Sequence, residues 1–164
     1  MEAVCVLTSN KKNIKGYVLF KEIQTASKRF SKLKITVKIS GLIKGLHGIH
    51  IHNTGDLRKG CSSLCSHFNP DNTCHGDISN SKHERHAGDL GNILADSKGN
   101  VNTVFHDYLL RLHGKYNIIG RSVVIHEEED DLGLGGLDVD GNIINKKIHA
   151  ESKKTGNAGK RVAC

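Results

Sequence analysis

Lys32-Leu33-Lys34-Ile35-Thr36-Val37-Lys38-Ile39 alternates polar and apolar side chains without a break. A strict period of two marks a strand with one wet face and one buried face. Leu33, Ile35, Val37 and Ile39 are expected to face a core, and Lys32, Lys34 and Lys38 to face water. Lysines on such a face also discourage edge-to-edge association. Outward from this strand, short runs of the same kind cover Ala3 to Leu7, Ile14 to Glu22 and Gly48 to His52. Others follow at Asp89 to Ala95, Val101 to Phe105 and Ile118 to His126, with the turn Asp96-Ser97-Lys98-Gly99-Asn100 joining the first two. Eighteen glycines, one proline and no tryptophan agree with many turns between short strands. The expectation is an antiparallel all-β protein, and 164 residues suit a single domain spanning 1–164.

The net charge is +7, and it is unevenly placed: residues 1–60 hold 12 Lys/Arg against 3 Asp/Glu. That excess lies largely on strands with a solvated face, and base-stacking aromatics are scarce, so no nucleic-acid partner is expected. No apolar run approaches the roughly 20 residues of a membrane-spanning helix, so no membrane partner is expected. The opening Met1-Glu2-Ala3-Val4-Cys5-Val6 lacks the basic segment and long apolar stretch of a secretory signal. A soluble, cytoplasmic protein is the resulting expectation. Richness in Lys, Asn and Ile suits an AT-rich genome, and for a viral source the compartment would be the host cytoplasm.

Two long segments break the strand pattern. The stretch from Asn53 to Ala87 has no periodicity but holds Cys61, Cys65 and Cys74 with His67, His75, His83 and His86. Loops this long without secondary structure are usually functional or disordered, and this composition asks for a metal or a disulfide to order it. The second runs from Glu127 to Arg161 and opens on the acidic run Glu127 to Asp131. His50 and His52 alternate on a strand, so both imidazoles leave the same face. Imidazole suits copper and zinc, and His67, His75, His86 and Asp89 supply three nitrogens and a carboxylate, enough for a tetrahedral zinc site. Taken singly, each of these histidines is unremarkable surface chemistry; together they point to metal.

With those residues in view, the sequence resembles the copper/zinc superoxide dismutase family over nearly its whole length. The resemblance is carried by Gly48-Ile49-His50-Ile51-His52, His67-Phe68-Asn69-Pro70 and Arg85-His86-Ala87-Gly88-Asp89-Leu90-Gly91-Asn92. It continues through Ile118-Ile119-Gly120-Arg121 with His126, Asp130-Asp131-Leu132-Gly133, and the stretch Thr155-Gly156-Asn157-Ala158-Gly159-Lys160-Arg161-Val162-Ala163-Cys164. It implies an eight-stranded Greek-key β-barrel or sandwich of immunoglobulin-like type, with two loops covering a metal site on its outside. It also implies one copper and one zinc per subunit, superoxide as substrate, and oxygen and hydrogen peroxide as products. By position, copper falls to His50, His52, His67 and His126, and zinc to His67, His75, His86 and Asp89. His67 then bridges both metals as an imidazolate. Asp130 matches a carboxylate that links His50 to His75, and Arg161 matches the family's anion-guiding residue. Thr155, Lys153 and Lys154 are expected to shape the channel and its positive field.

The resemblance further implies a disulfide between Cys61 and Cys164, and a homodimer whose surface includes Ile118, Ile119 and Gly120. Cys5 is expected to be a buried free thiol, and Cys65 and Cys74 to be inert or paired with each other. His47, His83, His106, His113 and His149 match no family ligand and are read as surface or packing residues. Two departures stand out. Relatives continue beyond the residue matching Cys164, so the last strand is expected to be short; and Leu137 to Ile148 is an insertion whose Val139-Asp140-Gly141-Asn142-Ile143 reads as a small hairpin. Lys160 and Val162 flank Arg161 where a nearby proline goes with dependence on a copper chaperone, so that chaperone is expected to be dispensable. The rival reading is a catalytically silent homologue that binds metal, or binds the chaperone as a decoy. Such members lose copper ligands or the arginine, and here all are kept.

Overall fold

The computed structural model describes residues 1–9, 13–24 and 31–164. The polar connections at 10–12 and 25–30 lie outside the described residues. The elements in chain order are β1 (Glu2–Leu7), β2 (Lys15–Gln24), β3 (Ser31–Ser40), β4 (Gly45–His52), β5 (Arg58–Cys61), β6 (Asp89–Ala95), β7 (Val101–Asp107), β8 (Ser122–His126), α1 (Lys146–Thr155) and β9 (Arg161–Ala163). Two antiparallel four-stranded sheets result, ordered β1-β2-β3-β7 and β6-β4-β8-β9. The chain changes sheet between β3 and β4, between β6 and β7, and between β7 and β8, so the eight strands follow a Greek-key rather than a simple meander.

The alternation in β3 sets the core as its sequence dictates. Leu33, Ile35 and Val37 are fully buried, and they join Val18 and Phe20 against Ile49, Ile51, Ile93 and Ile125 of the other sheet. Each such side chain contributes about 1.5–3 kcal/mol relative to exposure. The sheets are laced at the edge beside β9: Thr8 N donates to Cys164 O at 2.8 Å, and Cys164 N donates to Thr8 O at 3.1 Å. Beside this lacing, the Cys61–Cys164 disulfide ties β5 and the first long loop to the sheet. It closes 103 residues of separation, for which the chain-entropy model gives roughly 4–5 kcal/mol.

Three local features differ from the sequence reading. β8 begins at Ser122 and not at Ile118, because Ile118 to Arg121 form a turn closed by Arg121 N to Ile118 O at 3.1 Å, with Gly120 at φ 79°. β5 lies inside the segment read as irregular. The insertion forms a tight turn, with Asp138 N donating to Asn142 O and a single bridge from Leu137 to Ile143, and then runs into α1, which the sequence reading left irregular. Only Ser152 of α1 is buried, so no apolar stripe announces the helix. Its signals are at the ends: the Asn145 side chain accepts from Ile148 N, and Gly156, left-handed at φ 71°, donates to Ser152 O.

Candidate metal centre

On β4 the even and odd positions separate cleanly: Ile49 and Ile51 enter the core, and His50 and His52 leave the other face. His50 stands opposite Val124 of β8, and His126 follows Val124 by two residues on that face. The His50 and His126 ring centroids are 4.8 Å apart. His67 arrives from the first long loop, which is bonded to the edge of β4. Phe68 N donates to Ile51 O, Gly88 N to Phe68 O and Ile51 N to Gly88 O, each at 2.8 Å. A Cβ on Gly88 would stand 2.3 Å from Ile51 O, so only glycine permits this approach. The lacing stacks His67 on His50 with 4.0 Å between ring centroids.

The outer partners of these rings fix their protons. His52 Nδ1 donates to Cys65 O at 2.9 Å and His126 Nδ1 donates to Gly159 O at 3.1 Å, because a carbonyl oxygen can only accept. His50 Nε2 donates to Asp130 Oδ2 at 2.6 Å. Each ring is left with one lone pair, and His50 Nδ1, His52 Nε2 and His126 Nε2 are buried without a hydrogen-bond partner. Leaving a buried polar atom unpaired costs about 1–3 kcal/mol each, so three converging cases need a reason. Protonation is not that reason. Burial, with the neighbouring His67 also acting against charge, pushes His50 down to about 3 and His52 to about 2. Burial likewise takes His126 to about 4. Three neutral, aimed nitrogens fit a soft or borderline cation such as copper.

A second cluster gathers on Asp89. Its Oδ1 lies 2.9 Å from His67 Nδ1, 3.0 Å from His75 Nδ1 and 3.2 Å from His86 Nδ1. His86 Nδ1 is 3.3 Å from His67 Nδ1. Metal bonds of about 2.0–2.1 Å set the corners of a tetrahedron roughly 3.3 Å apart, and these four separations are close to that spacing. Asp89 Oδ2 is held by the backbone N–H groups of Gly76 and His86. Burial would raise the Asp89 carboxyl, but hydrogen bonds from His67, His75 and His86 hold it well below the usual carboxylate range. His67 Nδ1 is therefore committed to this cluster, and Nε2 is the nitrogen left for the His50, His52 and His126 group.

Asp130 joins the two clusters. Its Oδ2 accepts from His50 and its Oδ1 accepts from His75 Nε2 at 2.8 Å. Burial opposes its charge, but the two histidines hold it down to about 2. For His75, burial is outweighed by Asp130 and Asp89, which raise it to about 9. Asn92 fixes Asp130 by a reciprocal pair, accepting from Asp130 N and donating to Asp130 O, both at 2.8 Å. Gly156 presses against this pair: a Cβ there would stand 2.2 Å from Asp130 Oδ1. The end of α1 thus rests on the link between the clusters.

A cavity of about 660 Å³ opens over His52, His67 and His126. Arg161, Lys154, Thr155 and Cys65 stand in its wall. Arg161 is the cross-strand partner of His126, and its Nη1 and Nη2 donate to Cys61 O at 2.7 Å and Cys65 O at 2.6 Å. Lys153, expected in the same wall, is absent from it; its Nζ would lie 3.2 Å from a Cβ on Gly133, and its carbonyl accepts from His75 N. Cys65 and Cys74 are both free and exposed, so they do not pair. Cys5 is free and half-buried, and burial pushes its thiol up.

Two supporting residues escaped the sequence reading. His47 is buried, with one ring nitrogen 2.8 Å from His126 O and the other 2.7 Å from Ile43 O, so it braces the His126 backbone from behind. Asn92 holds Asp130. The signal for His47 was its place immediately before Gly48 in a buried strand; Asn92 carried none beyond its place in the motif that ends on it.

The profile of a family described as copper/zinc superoxide dismutase matches residues 14–164. A superoxide dismutase [Cu-Zn] of Paramecium bursaria Chlorella virus 1 is 51% identical over 152 residues, covering 92% of this chain and 71% of the relative. An extracellular superoxide dismutase [Cu-Zn] of Drosophila melanogaster is 45% identical over 157 residues, covering 95% of this chain and 76% of the relative. Among solved structures, the clock protein EA4 superposes with a TM-score of 0.82 at 39% identity, covering 99% of this chain and 90% of that one. The cytoplasmic expectation is corrected by these relatives. The Drosophila protein is named extracellular, as is a relative of Brugia pahangi at 43% identity over 162 residues, covering 99% of this chain and 73% of the relative. The apolar content of six opening residues is a poor guide to where a β-sandwich resides.

Proposed function

The chain belongs to the copper/zinc superoxide dismutase family and converts superoxide to molecular oxygen and hydrogen peroxide, and on that premise we propose which residues divide the work. His50, His52, His67 and His126 hold copper, and His67, His75, His86 and Asp89 hold zinc. When bound, copper supplies one-electron exchange between Cu(II) and Cu(I), and zinc, which has no redox chemistry, fixes charge and loop geometry.

The observation that carries this assignment is the trio of buried, proton-free nitrogens on His50, His52 and His126 beside a His67 whose Nδ1 is already engaged by Asp89. To serve both sides His67 must carry no proton. His67 Nε2, when not engaged by a metal, would be the nitrogen on which one of the two protons of the hydrogen peroxide product could be held, the other coming from water. Arg161, braced by two carbonyls, offers a fixed positive charge at the cavity wall for a small anion. Lys154 extends the field, and Thr155 narrows the passage. Asp130 keeps His50 and His75 in their required tautomers.

The same reading includes a homodimer. Ile118, Ile119 and Gly120 border a shallow apolar depression with Ala3, Cys5 and Ile51, and Ile119 remains 51% exposed. Sedimentation at several concentrations tests it, with a monomer at all of them as the contrary result. Copper loading without a dedicated chaperone follows from Lys160 and Val162 beside Arg161; expression in cells lacking that chaperone should still give a copper-loaded product. For the centre itself, the decisive experiment is metal analysis with superoxide consumption. One copper and one zinc per chain with rapid consumption is expected, and a fully loaded protein that leaves superoxide untouched would overturn the assignment.

A further inference from the structure

Cys65 is the one thiol among the described residues in the wall of the cavity over His52 and His126. Its backbone is at φ 62°, where glycine is favoured, yet the position carries an exposed free thiol. Cys65 O is gripped by His52 Nδ1 and Arg161 Nη2, which holds the residue against the passage by its backbone. The same cavity receives His52 and His126, both more than nine-tenths buried and each with an unpaired Nε2. Cys65 thus shares the wall of one cavity with those two nitrogens.

We propose that Cys65 is a modification site for the hydrogen peroxide released by the centre. The inference rests on the dismutase reading, which supplies the oxidant. The thiol sulfur attacks one peroxide oxygen, an S–O bond forms as the O–O bond breaks, and the thiol hydrogen leaves with the departing hydroxide as water. Sulfur is oxidised by two electrons to sulfenic acid and peroxide is reduced. The new oxygen stands in the wall that also carries Arg161, so the modification narrows the route by which the next anion enters. Cys74 is also exposed and free but is not part of that wall, and it serves as an internal control.

The test uses metal-loaded protein turning over superoxide, with catalase in the bulk to remove escaped peroxide and a sulfenic-acid trap present. Labelling at each cysteine is read by peptide mass spectrometry, and superoxide consumption is followed in parallel. Several-fold more label at Cys65 than at Cys74 is expected with copper and zinc bound, and equal label when zinc alone is loaded. Equal labelling of the two thiols during turnover, or Cys65 label that forms only when catalase is omitted, would overturn the proposal. Absence of superoxide consumption would instead overturn the dismutase reading itself.

Discussion

Three strand-borne histidines and the loop-borne His75 are the same residue in the same small volume, yet they hold protons in opposite ways. His50, His52 and His126 sit on β4 and β8 and are pushed down to about 3, 2 and 4, chiefly by burial. His75 sits on the first long loop between Asp89 and Asp130, which raise it to about 9 against the same burial. Desolvation disfavours charge in every case; His50 has one carboxylate partner, Asp130, and stays lowered, whereas His75 lies between two, Asp89 and Asp130, and is raised. On the proposed assignment, His50, His52 and His126 are already neutral and can receive a cation without shedding a proton. The zinc half gathers on a carboxylate and must lose the His75 proton before that ring can bind. The sheet supplies rigid placement, and the loop supplies charge.

The largest effect expected is separation of the two halves by substitution. His126→Ala should lose copper and bring superoxide consumption to the spontaneous background while zinc stays bound. His86→Ala should lose zinc and keep copper. Metal content by mass spectrometry and dismutation rate read both, and equal loss of both metals in either variant would erase the distinction.

Next in size is the pH dependence of the metal-free protein. A histidine lowered by folding stabilises above its unfolded value near 6.5, and that contribution is lost as pH falls toward the folded value. His50, His52 and His126 all do this, and the lowered His67 adds to them. Each titrating group contributes about 1.4 kcal/mol per pH unit at full slope. Asp130, held down to about 2 by His50 and His75 against burial, continues the loss below pH 4. A histidine raised by folding behaves oppositely: the His75 contribution is complete below 6.5 and lost as pH rises through about 9. Denaturant titrations should therefore show maximal stability near pH 6.5–7, with the acid side several times steeper than the alkaline side. A symmetric profile would mean that the two halves do not differ in proton affinity.

How much of this was legible in the sequence follows from the range of the forces involved. Alternation in Lys32 to Ile39 exposes β3 because burial there depends on side-chain period alone. The ligand residues are legible as a pattern, His50 and His52 by their spacing and His67, His75, His86 and Asp89 by their crowding in a polar loop. The motif resemblance then supplied His126, Asp130 and the Cys61–Cys164 pairing. What stayed hidden depends on contacts distant in sequence. His47 braces a carbonyl 79 residues away, and Asn92 holds Asp130 across 38 residues. Helix α1 stayed hidden for the opposite reason: it buries only Ser152, so its formation rests on its capping residues and leaves no period to read.

The carboxylate between the halves gives the third prediction. Asp130→Asn keeps the shape but cannot accept from both His50 and His75 with full charge, so it weakens the link from each side. Zinc affinity should fall by about 10–100-fold, the usual cost of losing an outer partner of a metal-bound histidine. Copper affinity should fall less, because His52 and His126 take their orientation from backbone carbonyls and not from Asp130. Chelator competition for each metal reads the two separately, and a larger loss on the copper side would reverse the assignment of which half depends on charge.

The smallest effect is expected at Arg161, which touches neither cluster through a protein hydrogen bond and acts on the approach of the substrate. Its guanidinium is braced by Cys61 O and Cys65 O, so two of its donors are spent on position. Arg161→Ala should slow turnover by about tenfold with both metals retained, and flatten its dependence on ionic strength. Arg161→Lys separates charge from fork. Lysine keeps the positive charge but cannot reproduce two directed bonds from one planar group, so the salt dependence should survive while the rate remains below that of the unaltered protein. If lysine restores the rate in full, the carbonyl bracing contributes nothing, and the disulfide loop serves this arginine only by proximity. If neither variant alters the salt dependence, the field at the cavity comes from Lys154 and its neighbours on α1, and the insertion that leads into that helix, not the barrel end, governs how the anion arrives.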